Sequence, residues 1–447
     1  MGENMKFCNK MKKMLVIFLF FILTSTSITM SVTTNKNKLL DFWDLPDPVP
    51  VDMILETSIY RRMSVREFTD EPVSEEELST ILWAAYGLRN DGKYTVSKIN
   101  QEHAAVLYVF DENGVYTYDP SMHSLHLYLE GDHRNDIYLM QYEAPIQLGL
   151  CWNTSIADSN QAGVEIGQIG QNIQFMANAL GLGTVVTGQI PPAIDPVGIP
   201  EDQKGLTIMP LGHPQTPYNF VYRPLWFSFL PKMKESTTSL STALLQFDQK
   251  EQFNEPLTNE EFGQIMWSTY GFSPLIDKSK QDPIHLKRHR TVPSAHGYYP
   301  LNIYAIKEDG FYRYYPNVLT DVILPFLRFS DAQVDFIGLP IVSYLKKLDS
   351  TDLRSDISQL CNDSSLQDAS LIIISVLDLE KAKELAYDDA IRFWYYEAGA
   401  IAQNVMLESE SWDFSSKIVY PIASMKLQTI LDFNEDLIPL TLMPVGG

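Results

Sequence analysis

"EPVSEEELSTILWAAYGL" (residues 71–88) returns 184 residues later, at 255–272, as "EPLTNEEFGQIMWSTYGF". Pro72 meets Pro256, Trp83 meets Trp267, Tyr86 meets Tyr270 and Gly87 meets Gly271. Two more blocks recur in the same order. "AVLYVFDENGVYTYDP" (105–120) matches "LNIYAIKEDGFYRYYP" (301–316), 196 residues on, and "EIGQIGQN" (165–172) matches "EAGAIAQN" (397–404), 232 residues on. The spacing grows in one direction while the order is kept, so the chain is a tandem duplication with insertions.

Each copy reads as a mixture of strands and helices. Ser74 with Glu77 three residues on predicts a capping box opening a helix over 75–86. "AAVLYVF" and "GVYTYD" predict two strands around a turn at Asn113-Gly114. "APIQLGLCW" predicts a buried strand, and "LTIMPLGHP" a last one. Between them "GVEIGQIGQNIQFMANALGLG" predicts a long helix with Gly163, Gly167 and Gly170 along one side, closed by Gly181 and Gly183. Strict βαβ alternation is missing, so the fold class is α+β, a sandwich in each half. Prolines 214, 217, 224 and 231 and the Ser/Thr-rich stretch behind them mark 214–250 as the linker. The expected domains are 1–37, 38–235 and 236–447.

The 447 residues are 45% hydrophobic and 12% aromatic, enough for sizeable cores, and the net charge of −22 excludes a nucleic-acid partner. Cys8, Cys151 and Cys361 lack metal-type spacing and cannot form a disulfide framework. Cys151 and Cys361 are expected as one bridge or as two inert buried thiols. Lys10, Lys12 and Lys13 precede an uncharged run from Met14 to Val32. That order is the export pattern, and the run approaches the ~20 residues that span a bilayer. A signal peptide or an N-terminal membrane anchor is therefore expected, with the rest secreted or membrane-anchored outside the cytoplasm.

"RRMSVREFTDEP" (61–72) gathers positive charge in an acidic chain, and its continuation resembles the opening of the nitroreductase family of FMN-dependent oxidoreductases, R-x-S-x-R/K followed by Phe and a helix. "QNIQFMANALGLGT" and "PLGHP" are similar to later family blocks. "RTVPSAHGYYPLNIYAI" resembles the R-x-x-P-S-A-G-x-x-x-P block of the SagB-type branch, dehydrogenases that oxidise azolines in peptide natural products, with His296 where Gly is expected. The resemblance implies two tandem nitroreductase-like domains forming an intrachain pseudo-dimer, so that the chain can act as a monomer. It also implies FMN, a small-molecule or peptide substrate, and a nicotinamide or other electron donor. The other reading kept open is a non-catalytic flavin- or ligand-binding protein derived from such a pair.

Residue types support a phosphate clamp. Arginine forks and a hydroxyl suit a dianion, and spacing of two places Arg62, Ser64 and Arg66 on one side of an extended segment. Before Glu255 the second copy reads "QFDQKEQFN" and lacks these residues, whereas the first copy has Tyr94, Ser97, Lys98 and Ile99 opposite Arg290, Pro293, Ser294 and Ala295. Each half keeps what the other lost. From the family's interfacial flavin follows one composite FMN site: Arg62, Ser64 and Arg66 from the first half, Arg290, Pro293, Ser294 and Ala295 from the second, and Thr187 and Gly188 along the ring. Arg223 is the candidate for a late phosphate contact. His123 and His126 form H-x-x-H without framing carboxylates, and no metal is expected. No general acid or base is named by any motif.

Overall fold

The structure, a computed structural model, describes residues 42–98, 102–138, 140, 142–187, 194–218, 220–222, 234–247, 252–273, 275–277, 290–318, 321–322, 342–383, 391–421 and 424–447. The Met14–Val32 run, Gly188, Arg223 and 285–289 of the basic cluster lie outside the described residues. Among the described residues no helix is long and apolar enough to cross a membrane.

Residues 44–447 form one compact unit built on two sheets with the same plan. In the first half, helices α1 (Leu55–Arg61) and α2 (Glu75–Tyr86) precede strands β1 (Ala105–Phe110), β2 (Gly114–Asp119), β3 (Ser124–Glu130) and β4 (Ile146–Asn153). Helix α3 (Ser159–Ala179) follows, then β5 (Gly183–Thr184) and β6 (Gln203–Gly212). The sheet runs β3-β2-β1-β4-β6-β5. The second half repeats this with α4 (Leu240–Gln246), α5 (Asn259–Tyr270), β7 (Leu301–Lys307), β8 (Gly310–Tyr315), β9 (Tyr344–Asp349), β10 (Leu371–Asp378), α6 (Ile391–Ser411), β11 (Ser415–Ser416) and β12 (Leu437–Gly446), in the order β9-β8-β7-β10-β12-β11. The pairs are antiparallel, with Tyr108 opposite Gly149 and Tyr304 opposite Ile374.

Local chemistry explains the shared plan. Ser74 Oγ accepts from Glu77 N–H at 3.2 Å while Ser74 N–H donates to Glu77 Oε2 at 2.8 Å; Thr258 and Glu261 repeat the box on α5. The β1–β2 turn differs from the expected Asn113-Gly114 corner. Asp111 Oδ1 accepts from both Asn113 and Gly114 N–H, so the turn runs Asp111–Gly114 without a left-handed residue. Gly114 opens β2, where a Cβ would lie 2.7 Å from the Leu129 carbonyl oxygen. Cys151 packs with Tyr108 and Phe110, and Cys361 sits in a different cluster with Ile357 and Leu366, so they are two buried thiols.

The halves meet through α3 and α6, which cross at glycines. A Cβ on Gly167 would come within 2.1 Å of Tyr396 O, and one on Gly399 within 2.0 Å of Val164 O. The polar contacts repeat reciprocally. Gln171 Nε2 donates to Asn404 Oδ1 and to Thr291 O, both at 2.8 Å. Gln403 Nε2 donates to Asn172 Oδ1 at 2.9 Å and to Thr95 O at 3.2 Å. Asn172 then reaches the Ala84 carbonyl, and Asn404 the Ser268 carbonyl. Each contact recurs with the repeats exchanged, Gln171 meeting Asn404 as its repeat partner Gln403 meets Asn172, the signature of an isologous two-fold contact within a single chain. One apolar core, containing Ile81 and Ile169 of the first half and Ile265 and Ile401 of the second, runs through both halves.

Candidate active site

The chain leaves α1 through Arg62 and continues without regular structure past Ser64 to Arg66. The spacing-of-two expectation is met by two of the three side chains. Ser64 and the exposed Arg66 line a cavity of about 310 Å³, whereas the Arg62 guanidinium turns inward. Arg62 still caps α1, so its head group enters the core between the halves. There Nη1 donates to Gln174 Oε1 at 2.8 Å and Nε to the Arg290 carbonyl at 3.0 Å. Burial holds its guanidinium below the ordinary arginine range.

The opposite wall comes from the second half. Pro293, Ser294, Ala295, His296 and Gly297 line the same cavity, joined by Phe393 and Tyr396 of α6. Tyr142, Val185, Val186, Thr187, Leu206 and Thr207 complete it. The Thr187 hydroxyl is tied to the Ile208 carbonyl at 2.8 Å, which pins this wall to β6. The 295–297 turn is left-handed, with φ of 51° at His296 and 75° at Gly297. A glycine is favoured at His296 for that reason, since an L side chain is strained there. Arg290 stands behind the wall: its guanidinium lies 4.3 Å from the ring centres of Phe272 and Tyr299 and 5.1 Å from that of Tyr270, with Asp321 at 3.7 Å.

Glu397, fully buried on α6, is the group that no motif had flagged, although it opens the third repeated block. It accepts from the Tyr270 hydroxyl and from Ser294 Oγ at 2.5 Å, and Ser294 Oγ accepts from Tyr299 N–H at 2.9 Å. Burial pushes its carboxyl up to about 7, against the pull of Ser294, Tyr270, Arg290 and Lys381. Beside it the Tyr396 hydroxyl is buried next to the Gln174 carboxamide.

The pseudo-equivalent place carries different side chains among the described residues. Glu165, the repeat partner of Glu397, bonds His103 Nδ1 and the Ala104 N–H. His103 stands where Tyr299 stands in the other half and packs edge-on against Tyr86 and Tyr94. Tyr94, in the place of Arg290, bridges to Leu88 as Arg290 bridges to Phe272. Tyr420 is half-buried nearby, its hydroxyl raised by desolvation first and by the Glu165 charge next.

A larger depression of about 610 Å³ lies wholly within the first half, among Asp70, Asp111, Glu112, Asp132 and Glu143. Its arginine, Arg134, is held by Asp132 and by the Pro145 carbonyl, so that wall repels anions. His123 is bonded to Ser79 Oγ at 2.8 Å and the Tyr118 hydroxyl at 2.9 Å, and His133 to Asp136 at 2.6 Å. Among the described residues no group of three or more His, Cys, Asp or Glu is placed to hold a metal ion.

The nitroreductase family model matches residues 59–213 and 253–447. The chain belongs to the nitroreductase family. Both repeats are matched, so this nitroreductase is a tandem pair. A Methanocaldococcus jannaschii protein assigned as a nitroreductase is 32% identical over 168 residues, which cover 33% of this chain and 85% of that protein. A crystal structure from Anabaena variabilis, also assigned as a nitroreductase, superposes with a TM-score of 0.62 at 15% identity, covering 92% of this chain and 94% of that one. That likeness shows the fold of both halves. The family and the fold make this an oxidoreductase of the nitroreductase kind.

Proposed function

We propose that this nitroreductase is FMN-dependent and carries one composite flavin site per chain, in the cavity between Ser64–Arg66 and Pro293–Ala295. The observation that carries the reading is that this cavity takes walls from both halves, at the places where the repeats have complementary losses. The lining fits the cofactor. Arg66 offers an exposed guanidinium and Ser64 a hydroxyl, the donor types a phosphate dianion takes. Val185, Leu206, Ala295 and Phe393 offer apolar surface for an aromatic ring. The Tyr396 side chain brings a phenol to the lining.

When bound, FMN supplies hydride transfer through its N5 atom. The chain's own part is to bind, orient and desolvate. Ser64 and Arg66 anchor the phosphate end. Arg62 braces the floor by fastening α1 to α3 and to the Arg290 carbonyl. Thr187 and the 293–297 segment fix the two walls, with Gly188 next to Thr187 in sequence. Glu397 holds a proton in the physiological range behind Ser294. The substrate is a small molecule or a peptide. The R-x-x-P-S-A segment supports the azoline-oxidising branch, and a nicotinamide is the natural donor class for the family. The basic start and uncharged run at 10–32 support placement outside the cytoplasm.

Reconstitution tests the reading. The purified chain mixed with FMN and desalted should stay yellow, bleach under dithionite and recover its colour in air. A chain that emerges colourless from desalting contradicts it.

A further inference from the structure

The Ser294 hydroxyl has one hydrogen to donate and two lone pairs to offer. One lone pair accepts from Tyr299 N–H at 2.9 Å, and the hydrogen goes to Glu397 Oε2 at 2.5 Å. The second lone pair is left for the cavity that Ser294 lines. With Tyr270 donating to one oxygen and Ser294 to the other, this is the arrangement of an ionised Glu397, whose carboxylate only accepts. A protonated Glu397 has a hydrogen of its own. Donated to Ser294 Oγ, it takes the second lone pair and releases the serine hydrogen toward the cavity.

We propose that Glu397 switches the hydrogen-bond polarity that Ser294 presents to the occupant of the cavity, acceptor with the carboxylate ionised and donor with it protonated. Glu397 is thus a positioning residue acting through Ser294. The inference rests on the reading of the cavity as a flavin site.

Every neighbour of the carboxyl bears on its charge. From α5 the Tyr270 hydroxyl donates to it. From the segment before β7 come Ser294 and the Arg290 guanidinium, the latter shared with Asp321 at 3.7 Å. Lys381 adds a second positive charge, and the Tyr299 ring packs on Tyr270. The balance between burial and these partners puts the exchange near pH 7. The repeat partner is an internal contrast: Glu165 meets the His103 ring and the Ala104 N–H.

The oxidised flavin ring presents mainly carbonyl and imine acceptors, so the donor state of Ser294 should bind it better. FMN dissociation constants, read by fluorescence quenching from pH 5.5 to 8.5, test this in the full chain, in Glu397→Gln and in Ser294→Ala. The amide of Glu397→Gln can donate to Ser294 at every pH and so mimics the protonated state. Relative to Glu397→Gln, the unmutated chain should lose about fivefold in affinity as pH rises through 7, the worth of one neutral hydrogen bond. Titration of the FMN phosphate near pH 6 is common to both and drops out of that ratio. Ser294→Ala should show no such step, and it decides alone if Glu397→Gln does not fold. A step that survives in either variant overturns the switch while leaving the flavin site standing. An unmutated chain that binds no FMN at any pH overturns both.

Discussion

The arginines of residues 61–66 show how much a single side chain's direction matters. Charge and spacing marked Arg62, Ser64 and Arg66 as one set, and Ser64 and Arg66 do share the cavity. Arg62 differs because it still caps α1, which turns its head group into the core. The two arginines should therefore fail differently. Arg66→Ala should weaken FMN binding roughly 10- to 150-fold, as expected for a charge-assisted hydrogen bond, with little change in the urea midpoint. Arg62→Ala should lower chain stability by about 2–3 kcal/mol, because a buried carboxamide and a carbonyl lose their donor. Equal losses of stability in the two variants would contradict this division. His296 offers a second test. Its left-handed backbone costs about 1–2 kcal/mol for an L residue, against a glycine's loss of about 0.5–1 kcal/mol in chain entropy. His296→Gly should thus raise stability by up to about 1 kcal/mol in urea unfolding, and a loss of that size would count against a strained turn.

Elements were legible where sequence chemistry is local. The capping box at Ser74 and Glu77 set the start of α2, and the glycines of α3 foretold a close helix crossing. The hairpin corner was less legible. The Asp111 side chain organises the turn, and a dipeptide rule sees Asn113-Gly114 first. Strand β3 was not expected from "SMHSLHLYLEG", although Leu125, Leu127 and Leu129 alternate there. Glu397 was hidden for another reason: a buried carboxyl becomes informative when its partners are known, and Tyr270 and Ser294 lie 127 and 103 residues away. The helix crossing gives its own prediction. Gly399→Ala should cost about 1–3 kcal/mol through overpacking, since the obstacle at 2.0 Å is backbone that cannot rotate aside. A calorimetric melting temperature unchanged from that of the parent would mean that α3 and α6 are not pressed together as described.

At the scale of the whole molecule, duplication has become division of labour. The α3–α6 contact and the exchanged Gln–Asn pairs preserve a symmetric dimer interface inside one chain. The two site regions have diverged: one has a cavity with walls from both halves, and the other sets His103 against Glu165 and Tyr94, with Tyr420 within reach of the Glu165 charge. The tandem repeat was visible in the sequence, and so were the complementary losses. The surroundings of Glu165 were not, because they include Tyr420, which lies outside every repeated block. The central claim is that the pair makes a single composite flavin site. Titration of the full chain with FMN, followed by fluorescence quenching at protein concentrations well above the dissociation constant, measures this directly. Saturation at one FMN per chain is the predicted result; saturation at two would contradict it.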